Sequence, residues 1–365
     1  MERRVTGSAE PKRVELARLP TPLVRLERLG RVLAGAVAGP AGSGRPEIWV
    51  KRDDLTGLEL SGNKVRKLEY VAADALATGC DTLVTEGTPQ SNHCRATAAV
   101  CARLGLRCVL LFRPSPPAGP ALGNHMLDQL FGAEVRAYPR AEYEQRHNEI
   151  VADVLAELRA AGRTPRWTPA GASEPLGCWG YIRAMAELGE QLRTAGIGEC
   201  DLVLAISSGG TCAGAVLGRV QHGLDRVRLW AVPVSDDVAH HRANTAHLCR
   251  AAIEQYRLAI SFDPDTLTGT SAAPAIPAQP TANSKGLEFI DGYVGAGYAV
   301  PYAAELDGIR LLAQTEALLL DPVYTGKAFR ALLDGVRAGR FGWDRPVVFL
   351  HTGGVFSDFA WPELF

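Results

Sequence analysis

The chain is 365 residues long, 47% hydrophobic, and carries a formal charge of -1, which describes a globular protein with room for two domains. Near-neutral charge and 7% aromatic residues exclude the basic, stacking surface that nucleic acid requires. No apolar run reaches the roughly 18 residues of a bilayer span, and the N-terminal stretch with Glu2, Arg3, Arg4, Lys12 and Arg13 lacks a leader's apolar segment, so no membrane association and a cytoplasmic location are expected.

In chain order, the first candidate strand is EIWVK (47–51), preceded by a Gly/Pro-rich connector at 38–46. DTLVTEG (81–87), RCVLLFR (107–113) and EVRAY (134–138) follow as further strands. NEIVADVLAELRAAG (148–162) spaces Ile150, Val151, Val154, Leu155 and Leu158 as one apolar helix stripe, with Glu157 and Arg159 turned to water. DLVLAIS (201–207), RLWAVPV (228–234) and PVVFLH (346–351) complete the strand set, and the Ala/Pro-rich 268–286 segment reads as a long loop over a cleft. Short apolar strands alternating with helices predict an α/β fold on mainly parallel sheets.

The eight cysteines, at 80, 94, 101, 108, 178, 200, 212 and 249, form no C-x-x-C pair or zinc spacing, so reduced, mostly buried thiols are expected. Cys94 and Cys101 are seven apart, a packing period on a helix. His240 and His241 are adjacent and would point about 100° apart on a helix, so no metal site is expected.

Only six of the 39 basic residues are lysines, and two of them, Lys64 and Lys67, sit three apart in SGNKVRKLEY (61–70). Arginine keeps its proton and forms no imine, whereas a desolvated lysine can lose its charge and attack an aldehyde. A solvated lysine in the first turn of a helix starting near Asn63 is the plainer reading. SSGGTCAG (207–214) lies between an apolar strand and a helix, where Ser208, Gly209, Gly210 and Thr211 can wrap a phosphate with free amides and the helix dipole. Its spacing matches neither a dinucleotide fingerprint nor a triphosphate loop. Gln90, Ser91 and Asn92 in QSNHCR stand at another strand-to-helix junction, suited to a helix cap or a carboxylate. DPVYTGK (321–327) puts Tyr324 and Thr325 at a helix start.

An imine-forming amine, a one-phosphate cup, a carboxylate-binding helix start and orienting hydroxyls together specify pyridoxal 5′-phosphate. In this order the stretches LPTPL, VKRDDLTG, GNKVRKLEY, QSN, SSGGT, DPVYTGK and HTGG resemble the family of D-cysteine desulfhydrase and 1-aminocyclopropane-1-carboxylate deaminase. That resemblance implies fold type II of the pyridoxal-phosphate enzymes, like tryptophan synthase β. Two open, twisted, mainly parallel sheets flanked by helices would form a large domain (1–66 and 176–365) and a small one (67–175), in a homodimer.

By the same resemblance, Lys64 would hold the cofactor as an imine and later remove the substrate's α-proton, and Asn92 would bind the phenolic oxygen. Ser91, with Gln90 and Asn92, would meet the substrate carboxylate, and Ser91 would assist proton removal. Ser208 to Thr211 would hold the phosphate, and Tyr298 and Tyr324 would stack near the ring or pass a proton to the leaving group. At the ring nitrogen the deaminases carry Glu, whereas Thr325 here implies a neutral hydroxyl donor and favours β-elimination, most plausibly from D-cysteine. Ring-opening deamination, sulfite loss from L-cysteate, β-replacement, and a non-catalytic cofactor or phosphate-ligand binder are the alternatives. Tyr302, Cys212, Trp179 and the 268–286 insertion depart from the family pattern and would reshape the substrate pocket.

Overall fold

The computed structural model describes residues 10–36, 44–113, 120–268 and 286–365. The chain begins with β1 (Leu23–Arg25), α1 (Glu27–Ala36) and β2 (Ile48–Lys51). It continues through α2 (Lys64–Ala77), β3 (Thr82–Gly87), α3 (Asn92–Leu104), β4 (Arg107–Phe112), α4 (Gly123–Leu130), β5 (Glu134–Ala137), α5 (Arg140–Ala160) and β6 (Pro165–Trp167). Then come α6 (Pro175–Thr194), β7 (Cys200–Ile206), α7 (Gly210–Gln221), β8 (Val227–Pro233), α8 (Val238–Tyr256), β9 (Leu287–Phe289), α9 (Ala303–Glu316), α10 (Thr325–Arg337) and β10 (Val347–Leu350).

Two sheets result. The larger runs β1-β2-β10-β7-β8-β9, all parallel except the edge strand β1; the smaller runs β5-β4-β3-β6 and is parallel throughout. Parallel neighbours require crossovers, and the helices supply them while covering both faces. That is why β7 reads as a continuous apolar run: Leu202, Leu204 and Ile206 pack with Ile182, Met185 and Leu217, while Val203 packs on the opposite face with Phe329 and Leu332. In the smaller sheet, Leu83, Leu110 and Phe112 meet Cys94 and Ala98 of α3, and Val84, Val109 and Leu111 meet Ile150, Val154 and Leu158 of α5.

All seven predicted strands form. The three not foreseen, β1, β6 and β9, are three residues each, too short for any periodicity and specified by pairing alone. The helix expected at 148–162 starts earlier, at Arg140, and bends at Arg146 (φ -117°, ψ 19°), with Tyr143 buried in its polar first half. All eight cysteines are free and buried, and no cluster of three metal-ligating side chains occurs among the described residues. No helix among those residues is long and apolar enough to cross a membrane. Most of the predicted 38–46 connector and all but the ends of the 268–286 loop lie outside the described residues.

A buried ion network fixes α2 between the sheets. Arg66 donates to both oxygens of Asp53, at 2.9 and 2.8 Å, and to both oxygens of Glu187 on α6, at 2.9 and 3.0 Å. Lys51 closes the network on Glu187, and the Tyr181 hydroxyl donates to Asp53 Oδ2 at 2.6 Å. Two cations balance two anions, so each desolvated charge is compensated. Replacing Arg66 with Ala would leave Asp53 without its ion-pair partner and Glu187 with Lys51 alone; we expect a loss of about 3–5 kcal/mol, read as a lower denaturant midpoint, and an unchanged midpoint would refute this account.

Candidate active site

The segments that the sequence marks out stand at the carboxyl ends of strands, where ligands bind in open parallel sheets. Gln90–Asn92 follow β3, Ser207–Thr211 follow β7, Ser235 and Asp236 follow β8, and Thr352 follows β10. They enclose a cleft of about 350 Å³ lined by Lys64, Ser91, Asn92, Ser208, Gly209, Thr211, Tyr298 and Tyr324, among others.

Lys64 opens α2 directly after Asn63, whose Nδ2 donates to Thr211 Oγ1 at 2.9 Å and so ties the lysine turn to the phosphate cup. The turn needs Gly62: its φ is +106°, and a Cβ there would meet Thr352 O at 2.7 Å. Lys64 Nζ has no hydrogen-bond partner among the described residues, and burial lowers its amine to about 8, the shift expected of a desolvated cation with no counter-ion.

The cup is shaped by glycine and by residues from another loop. Gly209 has φ +85°, and a Cβ would lie 2.6 Å from Asn244 Nδ2; a Cβ on Gly171 would lie 2.2 Å from Ser208 Oγ and 3.3 Å from Lys64 Nζ. Ser173 Oγ accepts from Gly210 N at 3.1 Å and donates to Ser208 Oγ at 2.8 Å. Beneath α7, the buried Lys67 donates to Gly171 O at 2.8 Å and lies 3.1 Å from where a Gly210 Cβ would stand. A phosphate fits this cradle: its charge would sit on the start of α7 with a second lysine behind it. Sequence reasoning gave Lys67 no role, although its spacing from Lys64 was the available signal. Ser173 and Gly171 left no local signal.

Ser91 is both helix cap and cleft residue. Its Oγ accepts from Cys94 N at 3.2 Å, which leaves its hydroxyl proton for a ligand. Asn92 Oδ1 accepts from Asn124 Nδ2 at 3.0 Å, so the free end of its amide is a donor, as a phenolic oxygen requires. Gln90 does not join them: its amide donates to Leu122 O and accepts from Asn124 N, both at 3.0 Å, and it lies outside the cleft lining.

Across the cleft the Tyr298 and Tyr324 hydroxyls hydrogen-bond to each other, their rings edge to face with centroids 5.7 Å apart. Burial pushes both phenols up, Tyr324 well above its ordinary value, so both stay protonated. Lys327, the last residue of DPVYTGK and one to which the sequence gave no role, holds the Tyr298 loop by donating to Val294 O at 2.6 Å and Gly297 O at 2.8 Å.

Thr325 departs from expectation. It is fully buried outside the cleft lining, and its hydroxyl donates to Asp321 Oδ2 at 2.6 Å while accepting from Asp321 N at 2.8 Å. With its one proton committed to a carboxylate, it can only accept from a further partner. Of the departures from the family pattern, Cys212 lines the cleft, whereas Trp179 packs edge-on to Tyr256 in the core and Tyr302 precedes α9; neither of these two lines it.

A family model described as pyridoxal-phosphate dependent enzyme matches residues 14–353. D-cysteine desulfhydrases of Salmonella newport and Salmonella schwarzengrund are 37% identical to this chain over 355 residues, covering 96% of each partner. A solved ACC deaminase homologue superposes with a TM-score of 0.77 at 30% identity, covering 97% of this chain and 95% of its own. An O-ureido-L-serine synthase, at TM-score 0.58 and 18% identity over 93% of this chain and 90% of its own, shares the fold.

The cup geometry is testable. Gly209→Ala forces a side chain into a left-handed backbone at about 1–2 kcal/mol and against Asn244, so cofactor affinity measured by equilibrium titration should fall about tenfold or more; unchanged affinity would place the phosphate elsewhere.

Proposed function

The chain belongs to the family of pyridoxal-phosphate-dependent enzymes, and from that premise we propose that it is a lyase eliminating the β-substituent of an amino acid, D-cysteine giving pyruvate, sulfide and ammonia. The observation that carries this reading is the unpartnered Lys64 amine facing the cleft that the two tyrosine hydroxyls close on its other side. The similarity to D-cysteine desulfhydrases extends over 96% of the chain and supports the substrate.

Pyridoxal phosphate, when bound, supplies an electron-withdrawing ring that acidifies the substrate's α-C–H. Ser208, Gly209, Gly210 and Thr211 would hold the phosphate, and Asn92 would donate to the phenolic oxygen. Lys64 would hold the cofactor through Nζ and, as a free amine, would take the substrate's α-proton there; an amine near 8 is well matched to that work. Ser91 donates to the substrate carboxylate. Tyr298 and Tyr324, kept protonated by burial, would steady the departing thiolate through a phenolic hydrogen bond.

The small domain is taken as 67–175, which holds all four strands of the smaller sheet; its closure over Lys64 would exclude water. A homodimer is supported by an exposed apolar face, where Met126 and Leu130 of α4 and Phe359 of the C-terminal turn are 48, 74 and 64% exposed. Light scattering should then give twice the 39.0 kDa chain mass, and a single-chain mass would refute it. Eight free, buried thiols favour a reducing, cytoplasmic setting.

Assays of sulfide, sulfite and keto acids after incubation with D-cysteine, L-cysteate and 1-aminocyclopropane-1-carboxylate test the substrate: sulfide with pyruvate from D-cysteine is expected. Sulfite or ring-opened product would shift the substrate, dependence on a second nucleophile would indicate replacement, and binding without any product would mark a non-catalytic carrier. Borohydride trapping should label Lys64 and fail in Lys64→Arg. Because only the neutral amine attacks the aldehyde, capture by the apoenzyme should rise with pH and reach half its maximum near pH 8, whereas an unperturbed lysine would do so near 10.5. A half-point at the higher value would refute the desolvated amine.

A further inference from the structure

Arg95 is the fourth residue of α3, three positions after Asn92 and on the same face of the helix. Its side chain is fully buried, and its three nitrogens serve the surrounding chain. Nη1 donates to Glu59 O and Nη2 to Ser61 O, both at 2.7 Å, and Nε donates to Asn124 Oδ1 at 3.3 Å. The Phe356 ring lies against the guanidinium, its centroid 5.2 Å from Cζ. The carbonyls of residues 59 and 61 belong to the turn that leads into Lys64. A planar fork that keeps its proton therefore holds that turn at two points.

The third contact sets the polarity of a second group. Arginine has hydrogens only to give, and a backbone carbonyl can only accept. Arg95 Nε therefore faces the oxygen of Asn124, whose amide nitrogen donates to Gln90 O at 2.9 Å and to Asn92 Oδ1 at 3.0 Å. With its oxygen engaged there, Asn92 has only N–H to offer the cleft. The lysine turn is also tied to the phosphate cup, through Asn63 and Thr211. Arg95 thus joins the wall that carries Asn92 to the wall that carries the amine and the cup. Pyridoxal phosphate makes that link matter, because its aldehyde and its phenolic oxygen stand on adjacent ring carbons, and the amine and the N–H that meet them need a fixed separation.

We propose that Arg95 is a positioning residue that sets Lys64 and Asn92 relative to each other: its two Nη groups clamp the lysine turn, and its Nε fixes the Asn92 donor through Asn124. It lies outside the cleft lining, so it touches neither cofactor nor substrate and moves no proton. This rests on the roles proposed above for Lys64 and Asn92. On the domain limits given above, residues 59 and 61 belong to the large domain and Arg95 and Asn124 to the small one. The clamp crosses that boundary, so the lysine turn would travel with α3 when the small domain closes.

Two variants test the two arms. Arg95→Lys keeps the charge but replaces the fork with one nitrogen, which cannot hold both carbonyls and Asn124 together. In the apoenzyme, borohydride-trapped capture of pyridoxal phosphate by Lys64 should slow about tenfold or more, while affinity for inorganic phosphate, which reads the cup alone, stays that of wild type. A role in packing alone would lower the denaturant midpoint and leave the capture rate of the folded protein in place, and an unchanged rate overturns the proposal. Asn124→Asp has the same shape and gains an ion pair with Arg95, but its carboxylate can only accept, so Asn92 must turn its N–H toward it and show its oxygen to the cleft. Affinity for pyridoxine 5′-phosphate, which carries the phenolic oxygen and no aldehyde, should then fall about tenfold, again with inorganic phosphate unaffected; equal affinity for pyridoxine 5′-phosphate overturns the proposal. Absence of trapped label at Lys64 in the wild-type enzyme would sink the reading beneath it, an outcome distinct from failure of the clamp, in which wild type and both variants trap alike.

Discussion

The site depends on how α2 is anchored. Arg66 is the third residue of that helix, and its guanidinium is gripped by Asp53 and Glu187. These partners come from the turn after β2 and from α6, so one buried cation ties the helix to two separate parts of the fold. Bidentate geometry fixes orientation as well as distance, and the residue two positions earlier is Lys64. A flexible lysine stem projects into the cleft from a helix start that has little freedom to move.

This arrangement separates two kinds of desolvated cation. Arg66 is compensated on every side and remains charged. Lys64 has no counter-ion, so the same desolvation lowers its amine to about 8 and loosens its hold on the proton. Two residues apart on one helix, arginine and lysine answer desolvation in different ways: one by pairing, the other by binding its proton less tightly. The near-exclusive use of arginine elsewhere in the chain makes that contrast visible in the sequence.

Legibility followed locality. The cup after β7, the Ser91 cap after β3 and the Lys64 turn were readable because each is a short polar or glycine-rich run set between an apolar strand and a helix. The seven longer strands were readable for the same reason. Residues brought in from a distance were not: Ser173 and Gly171 enter the cup from another loop, and Asn124 orients Asn92 from α4. The direction of the Thr325 hydrogen bond was also hidden, because residue type gives a hydroxyl both donor and acceptor capacity and only the neighbour decides which one is left. Gln90 shows the converse, a plausible ligand by position whose amide the fold uses internally.

The Thr325–Asp321 pair bears on how the two chemistries of this family could be exchanged. Asp321 accepts from the amides of Val323, Tyr324 and Thr325 as well as from the Thr325 hydroxyl, and its charge adds to burial in raising the Asp358 carboxyl to about 8. A glutamate grafted at 325 would arrive beside that anion in place of a hydroxyl that feeds it. The swap would set two acids against each other in a dry turn, so this scaffold resists a one-letter conversion and would have to rebuild the loop first.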